Sequence, residues 1–226
     1  MGGVLTKIEA AETSMIEGSH SLSGHNLRRA SVGILFGGLL ILAGCASGAK
    51  PDAVAGTVHV CSSCHGMDGK SVSPTFPRLA GQQKDYLVAQ LKAFRDHTRA
   101  DPHAHTYMWG MAASLSDATI DGVADYYSSL SPVPGKPTDG ADIAAGKKIY
   151  EEGIPEQGVP ACGGCHGDAA QGGGTFPRLA GQHRPYIEGQ LAAFASNARA
   201  NEIMHENAKN LTPDTEGQLA AFLATQ

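Results

Sequence analysis

Two pentapeptides, Cys61-Ser62-Ser63-Cys64-His65 and Cys162-Gly163-Gly164-Cys165-His166, carry the most specific chemistry in this chain. Thiols separated by two residues can each form a thioether to a haem vinyl group. A histidine next to the second thiol then lies beneath the iron. Zinc knuckles share half of this spacing, but zinc would need both thiol pairs on one metal and would leave both histidines without a role. Each pentapeptide is followed by glycine and by the same downstream text. Two covalent haems are therefore expected, attached through Cys61 and Cys64 and through Cys162 and Cys165, with His65 and His166 as proximal iron ligands.

The sixth ligand decides what such an iron does: a thioether closes the site at high potential, a second imidazole closes it lower, and a vacant position permits catalysis. After residue 132 the chain has one methionine, Met204, seven residues before Leu211. The first domain offers Met67, Met108 and Met111. Met67 is too close to His65 to reach the opposite haem face. Met108 precedes Leu115 by the spacing that separates Met204 from Leu211, so Met108 and Met204 are the expected distal ligands. Met111 is the runner-up, expected to pack against haem or core. Five histidines, His97, His103, His105, His183 and His205, do not recur at matching positions; His183 aligns with Gln83 and His205 with Trp109.

A ligating histidine normally donates its second ring N–H to a carbonyl, which fixes the ring. Pro77 and Pro177 are the natural acceptors. Arg78 and Arg178 could pair with haem propionates through charge-assisted contacts, and Tyr86 and Tyr186 could offer a phenol or pack in the core.

The elements that must position these groups recur as well. Phe76-Pro-Arg-Leu-Ala-Gly-Gln82 is repeated unchanged as Phe176–Gln182, and Tyr86, Leu87, Gln90, Leu91, Phe94 and Arg99 have partners 100 residues later. Tyr86, Leu87, Leu91 and Phe94 share a helical face. Leu115-Ser116 and Leu211-Thr212 each lead into helical spacing: Ile120, Val123, Ala124, Tyr127 and Leu219, Ala220, Leu223. Ser116 and Thr212 suit N-caps and Pro213 a first helical turn. Met204 is expected in an irregular segment between two helices. No run alternates with period two, so the fold class is all-α: two tandem domains, 53–131 and 142–226, joined by a stiff Pro-rich linker at 132–141. Residues 153–161 form an insertion before the second haem motif.

The N-terminal text reads as an export signal over residues 1–44. Arg28 and Arg29 precede an apolar run from Val32 to Ala43, which is too short to span a bilayer. Leu42-Ala43-Gly44-Cys45 is similar to a lipoprotein processing site, which would lipidate Cys45, leave 45–52 as a tether and hold the protein on the periplasmic side of a bacterial membrane. The five cysteines are then all used, four on haems and one on lipid. Net charge is −5 at pH 7 with the acidic excess in the second half, which argues against nucleic-acid binding.

Pro77-Arg-Leu-Ala-Gly81, the Tyr–Gln-Leu–Phe helix, and Met followed seven residues on by Leu-Ser resemble class I cytochromes c. Two such domains with a Pro-rich connector resemble the dihaem cytochrome c4 family. The resemblance implies two cytochrome c folds related by a pseudo-twofold axis, with haem propionate edges approaching near the interface. It also implies single-electron transfer from a quinol-oxidising cytochrome complex towards a haem–copper terminal oxidase. A dihaem peroxidase or thiosulfate dehydrogenase-like enzyme is one alternative, and a fixed electron-acceptor subunit of a membrane dehydrogenase complex is another.

Overall fold

The computed structural model describes residues 50–136 and 143–226. The signal segment 1–44, Cys45, most of the tether and the second half of the linker, 137–141, lie outside the described residues. Among the described residues the chain is helical, with only two isolated β-bridges, Ile154–Val159 and Gly173–Phe176.

In domain 1, α1 (Pro51–His65) starts on a proline, whose missing N–H is no loss in a first helical turn, and carries the first haem motif as its last turn. Helix α2 (Lys84–Arg95) leads to a π-helical turn, Ala104–Met108, and the short α3 (Trp109–Ala112). Helix α4 (Asp117–Ser129) follows, capped by the Ser116 hydroxyl, which accepts from Thr119 N–H. Apolar residues of α1, α2 and α4 meet in a core of Val58, Leu87, Val123, Ala124 and Tyr127.

Domain 2 opens with α5 (Ile143–Glu152). The 153–161 segment forms a 3-10 turn at Pro155–Gln157 before α6 (Gly163–His166) ends on the second haem histidine. Next come α7 (Arg184–Ala195), α8 (Glu202–Ala208) and α9 (Pro213–Ala224). Thr212 and Thr215 close a reciprocal capping box at the start of α9. The core joins Ile149, Tyr150, Ile187, Leu219, Ala220, Phe222 and Leu223; burial of each large side chain stabilises by about 1.5–3 kcal/mol.

The domains meet through contacts made twice, once in each direction. Arg78 N–H donates to Gln182 Oε1 at 2.9 Å and Arg178 N–H to Gln82 Oε1 at 2.7 Å. The same glutamines return the favour: Gln82 Nε2 donates to Arg178 O and Gln182 Nε2 to Arg78 O, at 2.9 and 3.0 Å. Such reciprocity is the signature of a twofold relation. The connector runs extended to Lys136 and binds the C-terminus through Gly135 N–H to Gln226 O and Lys136 N–H to Ala224 O. It passes over Gly81 (φ 68°) and Gly181 (φ 70°), where an added Cβ would lie 2.9 Å from Pro132 and 2.3 Å from Val133 O. The repeated Leu-Ala-Gly thus ends in the residue that gives the linker room.

Candidate haem sites

Each haem motif ends a helix, which turns its histidine inward: His65 and His166 are buried. His65 Nδ1 lies 2.8 Å from Pro77 O and His166 Nδ1 lies 3.1 Å from Pro177 O. In that arrangement Nδ1 is the protonated nitrogen and donates to the carbonyl, which leaves Nε2 with its lone pair for a metal. Burial lowers both imidazole pKa values and the carbonyl contact only partly opposes it, so both rings are held in the neutral form that binds iron. Burial likewise raises the thiol pKa of Cys61 and pushes that of Cys162 up to about 11.

An apolar cavity of about 660 Å³ runs through both domains. Cys61, His65 and Met108 line it from domain 1; Cys162, Cys165, His166 and Met204 line it from domain 2. Cys64 is exposed. Met108 ends the π-helical turn, whereas Met204 sits within α8. The irregular segment expected around Met204 is therefore corrected: Asn201 Oδ1 accepts from Met204 N–H at 2.9 Å and caps a helix there. Met111 is corrected too; it is 55% exposed and packs against neither cavity nor core.

Arg78 and Arg178 are cavity residues whose Nε atoms are buried without a hydrogen-bond partner. An unmatched buried donor is costly, and an acidic group entering the cavity would satisfy both. Arg78 also crosses the interface, its Nη1 donating to Gly181 O. Tyr86 and Tyr186 take a role the repeat did not suggest. Their hydroxyls accept from the opposite domain's arginine, Arg199 Nη2 at 3.0 Å and Arg99 Nη2 at 3.5 Å. Sequence reasoning aligned Arg99 with Arg199 without assigning either a partner. Among the described residues no three His, Cys, Asp or Glu side chains converge on a metal ion.

Paired thiols, neutral buried histidines, an apolar cavity and two unmatched arginine donors suit haem in both halves. The cytochrome c family profile matches residues 55–131 and again 143–225. Cytochrome c-552 of Acidithiobacillus ferridurans is 42% identical over 198 residues, 85% of this chain and 86% of that protein. The solved structure of Acidithiobacillus ferrooxidans cytochrome c4 superposes with a TM-score of 0.71 at 43% identity, covering 74% of this chain and 98% of that one. The chain belongs to the dihaem cytochrome c4 family. A further relative, the thiosulfate dehydrogenase electron acceptor of Thiomonas intermedia, is 39% identical over 174 residues, 74% of this chain and 78% of that protein.

The chain carries two covalent haem c groups, on Cys61 and Cys64 and on Cys162 and Cys165, and is an electron-transfer protein. Among the described residues no helix is long and apolar enough to cross a membrane.

Proposed function

We propose that the protein carries single electrons on the periplasmic side of a bacterial membrane, from a quinol-oxidising complex or a dehydrogenase towards a haem–copper terminal oxidase. The observation that carries this reading is the pairing of Met108 and Met204, which occupy matched repeat positions and both line the haem cavity. In this reading His65 and Met108 ligate one iron and His166 and Met204 the other, while Pro77 and Pro177 orient the histidines and Arg78 and Arg178 hold propionates. Each bound haem supplies an iron that accepts and returns one electron. His65, Met108, His166 and Met204 would hold the irons and leave no position for a substrate. Lipid on Cys45 would keep this exchange close to membrane-bound redox complexes.

Met204→Ala tests the ligand set. The oxidised protein should lose about half of its sulfur-to-iron absorption and bind carbon monoxide at one haem when reduced. Undiminished absorption, or ready carbon monoxide binding at both haems of the unaltered protein, rejects the closed carrier. A thioether-linked glycerolipid on the mature N-terminal cysteine, read by mass spectrometry, tests the anchor.

A second reading is favoured by the Thiomonas relative: a fixed acceptor for a thiosulfate-oxidising dehydrogenase. It uses the same two haems but requires a stoichiometric partner in detergent extracts of native membranes. Turnover of thiosulfate by the isolated protein would instead make it an enzyme in its own right.

A further inference from the structure

The outer side of α1 differs in kind from the helix that opens domain 2. Ala53, Gly56, Thr57, Val60, Ser63 and Cys64 share one face of α1 at helical spacing. All but the half-buried Thr57 are exposed, Val60 by 56%. A Cβ added to Gly56 would meet nothing within 4 Å, so no other part of the described chain covers the middle of this face. It carries no charge: between Asp52 and Asp68 the sequence has no Asp, Glu, Lys or Arg. Its hydroxyls are turned back onto the helix, Thr57 Oγ1 donating to Ala53 O at 2.8 Å and Ser63 Oγ to Val60 O at 2.7 Å. Asp52 and His59 stand to one side of it.

Helix α5 is built the other way. Lys147, Lys148, Glu151 and Glu152 are exposed along it, and Lys147 pairs with Glu151 at 3.7 Å. The helix packed beside α1 is charged too. Gly122 of α4 lies against Val54, and the same helix exposes Asp117, Asp121 and Asp125. Lys84 reaches the last two at 3.3 and 3.1 Å.

The chain that precedes α1 decides what an uncharged face there meets. Six residue steps separate Cys45 from Pro51, a reach of about 20 Å at full extension. A lipid on Cys45 therefore holds the start of α1 within that distance of a bilayer, and the surfaces nearest Pro51 are the ones brought to it. Of these, the α4 side presents carboxylates, which anionic lipid repels. The outer face of α1 presents none. We propose that the lipidated protein rests on the bilayer through the outer face of α1. The face supplies orientation rather than affinity, since its side chains are small and bury little apolar area, while the acyl chains supply the hold. The end of α1 that bears Cys61 and Cys64 is then kept at the bilayer surface. The inference rests on lipidation of Cys45 and on neither the axial ligands nor the redox partners.

The test uses the full dihaem protein, lipidated, in vesicles of phosphatidylethanolamine and phosphatidylglycerol. Haem and lipid engage the native thiols, so Gly56→Cys takes a nitroxide label at an open position, and Lys148→Cys on α5 is the reference. With both haems reduced, collisions of the Gly56 label with a water-soluble nickel complex should fall several-fold on reconstitution, and those with dissolved oxygen should rise. The Lys148 label should not change. Equal collision rates at both positions, with the lipid confirmed by mass spectrometry, overturn the inference and leave the anchor standing. Absence of lipid from Cys45 overturns both. Shielding of the Gly56 label that persists in a chain starting at Ala46, and grows with protein concentration, makes the face a contact between copies and also overturns the inference. Ala53→Cys repeats the measurement on the same face if Gly56→Cys fails to load haem.

Discussion

In domain 1 the approach to the haem cysteines is a single helix, Pro51–His65, whereas in domain 2 it is α5, a loop at 153–161 and the short α6. The distal sides differ as well: Met108 ends a π-helical turn, while Met204 rides a capped helix. Even the buried tyrosines beside the first haem cysteine come from different places, Tyr127 from α4 and Tyr150 from α5. Against this, the histidine–proline contact, the arginine after that proline and the glutamine bridge are the same in both halves. Haem imposes this pattern. A proximal imidazole tolerates little displacement, so its carbonyl partner is kept, while any path that delivers a thioether or fills the space beside a cysteine will serve.

The largest effect expected from breaking this comparison is loss of one haem. Cys61→Ala with Cys64→Ala should cost domain 1 most of its helical circular dichroism, because a domain of this size buries too little surface to hold an empty apolar cavity open. Domain 2 should keep its haem spectrum. Core truncation comes next. Ile120→Ala and Leu219→Ala, at fully buried positions on α4 and α9, should each lower denaturant stability by about 2–5 kcal/mol. If the glutamine–arginine interface makes the protein one cooperative unit, both variants should still unfold in a single transition.

Gly69→Ala sharpens the contrast in loop geometry. Gly69 has φ 67°, and an added Cβ would lie 2.8 Å from Ala80 N and 2.9 Å from Tyr127; the substitution should cost about 1–3 kcal/mol in thermal unfolding. Ala170 holds the equivalent turn at φ 51° with its methyl fully buried, because no tyrosine from α9 crowds that place. Acid should separate the domains by a smaller amount. Burial would push the Asp101 carboxyl up, but Arg99 outweighs it and holds the folded pKa below the usual carboxylate range. Its stabilisation is therefore complete above an ordinary carboxylate value of about 4 and disappears as pH falls through the lower folded value. Asp101→Asn should flatten that acid limb of the stability curve. Smallest is Asn201→Ala, which removes the α8 cap and should cost about 1 kcal/mol.

Much of the haem site was legible in the chain because its chemistry is local. A thioether pair and its histidine occupy five consecutive residues, and the helix faces that pack on haem repeat at helical spacing. The Met204 helix was missed because its start is marked only by Asn201, and a polar residue between helices reads equally well as loop. Met111 was misplaced for a related reason: apolar character shows that a side chain can be buried, but the turn direction set by the π-helical segment points it outward.

By itself, the sequence determined two covalent haems, a duplicated all-α chain and matched methionines, since each of these depends on residue types at fixed short separations. Only the tertiary structure decided where Arg99, Arg199, Tyr86 and Tyr186 end up, because their partners lie about 90 to 110 residues away and meet them only once the two halves have docked. It also decided that Asp101 faces inward while Asn201 faces water. Burial of a charge is a property of the packed interior, so residues at equivalent positions of a repeat can be given opposite surroundings.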